Sequence, residues 1–262
     1  MAWLRMLLIA CTALRICAGS AWAATADEPS GVRERIVQLC GAEWPPFAAT
    51  SGAELSSGIS IDIVKAAFAR LNRPVRVRAL SWVICRRAVS EGRLDGVIDA
   101  TPAPNEFAGS HFSSMYPLAV FVVADSPVMQ FEPALLNGEE VGMVRGYRYG
   151  HVVTDHADWH RVDASSDEQL MIWLKLKRVK YIVTDAFAGP MLAAKVGVEI
   201  RPLRPLLDVS PLYVSFNSGN AELAANFDKA LADLIANGTV DAIYRRYLPY
   251  DFKEACKRWL AK

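Results

Sequence analysis

Apolar and polar positions along the chain follow two periods. A short apolar run at 36–39 has the pattern of a buried strand. A Pro-Pro loop and a Ser/Gly-rich stretch over 49–58 follow it. Val64, Ala67, Phe68 and Leu71 then recur at helical spacing, with Lys65 and Arg70 outward, until Asn72 and Pro74 stop the helix. Val75 and Val77 alternate with Arg76 and Arg78, which predicts a half-exposed strand. A helix is expected over 82–91, closed by Gly92, and a strand over 95–100. Further strands are expected over 117–124, 141–145, 181–184, 198–201 and 212–216. Helices are expected near 147–155 and over 166–177, 186–196, 221–236 and 240–247. The segment 203–207, with two prolines, reads as a connection, and the residues beyond 250 as a polar tail.

This order alternates strand and helix, which argues for parallel α/β sheets. It describes two similar α/β units joined by two extended crossings, a natural hinge. The expected ligand site is the cleft between the units, at the carboxyl ends of their strands. Those ends are 42–47, 99–102 (Asp99, Ala100, Thr101, Pro102), 145–148 and 184–187.

Composition changes the picture first at the N-terminus. Arg5, an apolar stretch over 6–16 and Ala21-Trp22-Ala23 make residues 1–23 a cleavable export signal. A lipoprotein anchor at Cys11 is the less favoured reading, because only ten residues precede that cysteine. Losing Arg5 and Arg15 takes the formal net charge from +1 to −1. Such a chain offers no electrostatic argument for nucleic acid. Three cysteines remain after cleavage. Cys40 ends the first strand and Cys85 lies one turn into a helix packed near it, so either a bridge or two buried thiols fits. Cys256 is the odd one. His156 and His160, four apart with His151 nearby, fit a solvated polar face better than a metal site. No cofactor motif is present.

Several short motifs occur in a telling order. They are Trp44-Pro45-Pro46-Phe47, Gly58-Ile59-Ser60-Ile61-Asp62-Ile63, Trp82, and Gly92 to Gly96. Phe112-Ser113 with Tyr116-Pro117, then Val141 to Gly146, Asp185, and 231–247 complete the series. At these residues, over roughly 36–248, the chain resembles the polar-solute and amino-acid branch of the bacterial extracellular solute-binding proteins, family 3. The resemblance implies a two-lobed periplasmic binding protein fold of type II. Lobe 1 would comprise residues 24–122 with 210–262, and lobe 2 residues 123–209. It further implies a monomer in the periplasm that holds a small polar solute and passes it to the permease of an ABC importer.

Two departures concern the ligand. Where the family's amino-acid binders carry an arginine for the ligand carboxylate, this chain has Phe107, after Glu106. Where a second-lobe acid is usual, it has Lys180. The first removes a bidentate fork that a buried carboxylate wants. Trp44, Phe47 and Trp82 are expected as stacking walls. Asp99 and Asp185 are expected to hold a cation, although Asp185 also suits a helix cap. Arg145 and Arg148, flanking Gly146 and Tyr147 at a helix start, are expected as an anion site. Two other readings use the same scaffold. One is a dehydratase of cyclic acids with Asp99 or Asp185 as the acid; the other is an accessory periplasmic partner without a ligand.

Overall fold

The computed structural model describes residues 35–147, 149 and 158–260. The leader, Cys11, Arg148, His151, His156 and most of the helix expected near 147–155 lie outside the described residues. The described strands are β1 Val37–Gly41, β2 Ala49–Ser51, β3 Glu54–Ser57, β4 Val75–Ala79, β5 Gly96–Ala100 and β6 Glu106–Phe107. They continue with β7 Ser114–Val123, β8 Glu140–Val144, β9 His160–Ala164, β10 Tyr181–Asp185, β11 Ile200–Pro202 and β12 Asp208–Asn217. The described α-helices are α1 Ile59–Arg70, α2 Trp82–Ser90, α3 Asp167–Lys175, α4 Ala188–Val196, α5 Ala221–Ala236, α6 Thr239–Tyr247 and α7 Phe252–Leu260.

The strands run in the order β2-β3-β4-β1-β5-β12-β7-β10-β8-β9, with β11 on β7 and β6 on β12. In the first half β1 lies parallel to β4 and β5. In the second, β8 lies parallel to β9 and β10. Strands buried on both faces read as continuous apolar runs, which is why β1 and β5 carry almost no polar residue. The two long strands β7 and β12 pair antiparallel from Asp208 opposite Leu118 to Leu212 opposite Ser114. Each also pairs with one half, β12 with β5 and β7 with β10. They are the two crossings read from the sequence.

Local chemistry sets the loops that matter. Gly58 precedes α1 with a φ of 117°, and a Cβ there would stand 2.3 Å from the Phe47 carbonyl oxygen. Only glycine lets the Trp44–Phe47 loop close over α1. Cys40 and Cys85 are joined by a disulfide, so α2 is bonded covalently to β1. Cys256 is free and half-buried on α7, and burial pushes its thiol up to about 11.

Some elements differ from the sequence reading. The Ser/Gly stretch forms the β2–β3 hairpin. β9 was not expected, because four of its five residues are not buried and no alternation marks it. The polar tail contains α7, anchored by Phe252 and Ala255. β12 starts four residues early, since Pro211 fits an extended strand opposite Met115. α4 starts two residues late because the Asp185 carboxylate caps it.

Candidate functional site

A cavity of about 310 Å³ opens where the carboxyl ends of β1 and β5 face the loop after β8. Trp44, Trp82, Tyr116 and Tyr147 form its aromatic wall, and Asp99 and Arg86 are its charged residues. Trp44 comes from the Pro-Pro loop, stacked on fully buried Phe47 at 4.1 Å between ring centroids. Tyr116 comes from β7 and lies edge-on to Trp44 at 5.8 Å and to Tyr147 at 6.4 Å.

The wall is completed by contact between the halves. Trp82, the first residue of α2, donates from Nε1 to the Gly146 carbonyl oxygen at 3.1 Å. Its ring meets Tyr147 edge-on at 5.7 Å. A Cβ on Gly146 would stand 3.2 Å from the Val83 side chain, so the approach is close. Beyond this contact lies a second space of about 310 Å³, which shares Ala42, Trp82 and Tyr147 and is bordered by Glu43, Asp167 and Glu168.

Three aspartates surround the aromatic wall. Asp99 Oδ1 accepts hydrogen bonds from Ser60 and Ser114, both at 2.6 Å, and Oδ2 has no partner among the described residues. Burial pushes its carboxyl up to about 6, against the two hydroxyls that hold it down. Asp167, at the start of α3, accepts from Thr184 at 2.7 Å and from the Tyr147 hydroxyl at 3.0 Å. Burial raises its carboxyl too. Asp185 accepts from the Phe187 and Ala188 backbone N–H groups at 2.7 and 2.6 Å. Burial raises it well above the usual carboxylate range, despite those donors. None of the three is ion-paired with a lysine, arginine or histidine among the described residues.

Arg86 is different. Its Nη1 donates to Glu106 Oε2 at 2.9 Å, and its guanidinium lies 5.6 Å from the Trp82 ring centroid. The charge it brings is therefore matched locally. Two further groups of the wall are unmatched: the Tyr116 hydroxyl and Trp44 Nε1 are buried without a hydrogen-bond partner among the described residues. Asp185 Oδ2 is likewise buried without a hydrogen-bond partner among the described residues. Buried polar groups are ordinarily hydrogen-bonded, so these are exceptions beside the cavity.

Of the residues singled out in the sequence, the cavity brings together Trp44, Trp82, Asp99, Thr101 and Tyr147. Phe47 and Ala100 lie behind the wall, fully buried. Phe107 is 43 % exposed on β6 opposite Phe216, outside the cavity, because the short β6 pairs with the edge of β12. Arg145 is exposed and 3.8 Å from Asp163, also outside. Asp185 does not line the cavity; its carboxylate accepts from the Phe187 and Ala188 N–H groups where α4 begins. Lys180 pairs with Glu139 on the exterior. Among the described residues, no cluster of three or more His, Cys, Asp or Glu could hold a metal. The reading missed Arg86 and Tyr116. Arg86 lies one helical turn after Trp82, which is a usable signal; Tyr116 is concealed in an apolar strand.

No protein of curated function matches the chain in sequence. Solved structures share its fold. A histidine kinase sensor domain with similarity to periplasmic binding proteins superposes with a TM-score of 0.74 at 20% identity, covering 83% of this chain and 98% of that one. An arginine-, lysine-, histidine-binding protein from Geobacillus stearothermophilus gives 0.73 at 16% identity, covering 86% and 100%. An arginine transport system periplasmic binding protein from Legionella pneumophila gives 0.70 at 17%, covering 81% and 99%. The fold is thus the two-lobed one of periplasmic binding proteins, and among the described residues no helix is long and apolar enough to cross a membrane. The model of the bacterial extracellular solute-binding proteins, family 3, matches residues 37–250, and the chain belongs to that family.

Proposed function

We propose that this chain is a periplasmic binding protein, not an enzyme, that captures a small organic cation between its lobes and presents it to an ABC importer. The observation that carries the reading is Asp99: a carboxylate with no cationic partner among the described residues, at the wall of a cavity lined by four aromatic rings. Ring faces and an unpaired carboxylate are how proteins hold ammonium and guanidinium groups. Among the described residues, the arginine on the same wall, Arg86, is already paired with Glu106. Two structures of the same fold bear names that specify arginine or other basic amino acids as ligands, which agrees with a cationic ligand. The mature protein acts as a monomer after cleavage behind residue 23. Its lobes comprise residues 24–122 with 210–262 and residues 123–209, and they close about β7 and β12.

A thermal-shift screen of refolded 24–262 tests this. Ligand at about a hundred times its dissociation constant adds roughly 2.7 kcal/mol. That raises the melting point by about 2–4 °C per kcal/mol in a chain of this size. Agmatine, putrescine or choline should give such a shift, and succinate or glutarate should not. Shifts with the acids alone would refute the cationic reading.

A further inference from the structure

Glu106 is the counter-charge of the cavity's arginine. Its side chain is 4 % exposed, and a single oxygen, Oε2, accepts from Arg86 Nη1 at 2.9 Å, from Ser215 Oγ at 2.7 Å and from the Ala103 backbone N–H at 3.2 Å. Arg86 lines the cavity, and Glu106 stands behind it. The remaining nitrogens of the Arg86 guanidinium have no hydrogen-bond partner among the described residues. The fork is thus present at the wall with its charge cancelled. Asp99 lines the same cavity and has no ion-pair partner among the described residues. Among the described residues, the wall offers a carboxylate for a cation and an arginine already paired with Glu106.

We infer that Glu106 sets the charge preference of the cavity by holding Arg86 in an ion pair, so that the site takes amines without a carboxylate in preference to zwitterionic amino acids. This rests on the cation-binding reading and adds a specificity-determining residue to it. Glu106 does not touch the ligand; it is a positioning residue acting through Arg86. Replacing its carboxylate by an amide keeps the shape and an acceptor for Ser215 and Ala103, while releasing the guanidinium charge. The cavity would then present Arg86 and Asp99 as the two poles that a zwitterion needs.

Agmatine and L-arginine test this, because they differ only in the carboxylate. Calorimetric titration should show the unaltered protein binding agmatine more tightly than L-arginine. In Glu106→Gln the ratio should move about tenfold toward L-arginine, the scale of one hydrogen bond between charged groups. The double variant Glu106→Gln/Arg86→Gln should lose that gain, whereas a merely structural defect would weaken both ligands alike. An unmoved ratio in Glu106→Gln overturns the inference and leaves cation binding standing. If the unaltered protein binds neither probe, the cation-binding reading falls and the inference with it. Should Glu106→Gln not fold, Arg86→Gln decides: agmatine's lead should stay unchanged, and a tenfold loss confined to L-arginine would show Arg86 already acting on carboxylates and overturn the inference.

Discussion

Asp99 sits near the end of β5 with a φ of 53°, two serine hydroxyls on one carboxyl oxygen and none on the other. Its carboxyl, raised to about 6, binds a proton more tightly in the folded chain than in the unfolded one. The stability this lends is complete below the unfolded value near 3.8 and is lost as pH rises through about 6. Asp99→Asn should therefore melt higher than the unaltered protein at pH 8, by at most about 3 kcal/mol, with the gap closing toward pH 4. Melting curves at several pH values check this. Cation affinity should run the other way, falling below about pH 6 in the unaltered protein and staying weak and flat in Asp99→Asn. Residues of this kind were legible in the sequence where a loop or strand end isolates them, as with Trp44, Trp82, Asp99 and Thr101. Arg86 and Tyr116 were not, because their role depends on what faces them: Glu106 from a two-residue strand, and Trp44 and Tyr147 from distant loops. Asp185 shows the converse, since its position at a strand end fits a ligand acid and a helix cap equally, and its Oδ1 accepts from the N–H groups that open α4.

At the scale of elements, α2 matters most. It supplies Trp82 and Arg86, yet it packs on the sheet through a small apolar cluster of its own: Cys40, Cys85, Ala88, Val89, Leu94, Val97 and Ala100. Small side chains give such a cluster limited burial energy, so the disulfide carries much of the anchoring. It closes a loop with a sequence separation of 45, for which chain entropy gives on the order of 4 kcal/mol. Cys85→Ser should lower stability by a few kcal/mol in urea unfolding and weaken ligand binding further than that loss alone explains, because Trp82 loses its fixed approach to Gly146. Unchanged binding in Cys85→Ser would show that the cluster positions α2 unaided. Elements with a full apolar stripe, α1 and α5 above all, were legible because their burial is written in their own periodicity. The β2–β3 hairpin, β9 and α7 were not, because each is short or half-exposed and borrows its order from neighbours.

For the whole molecule, the ordered motifs were enough to specify two α/β halves and two crossings, since parallel sheets leave few ways to connect them. The contact between Trp82 and Gly146 could not be foreseen, because it depends on how the halves meet. Trp82, held by that contact, lines both spaces. Capture of a cation there, with Asp99 as its counter-charge, is the central claim. Isothermal titration of the unaltered protein and Asp99→Asn with agmatine, putrescine and choline tests it most directly. Binding of at least one amine, weakened tenfold or more in Asp99→Asn at pH 7.5, is the predicted result. Equal affinity in the two proteins, or heat from succinate and glutarate with none from any amine, would contradict it.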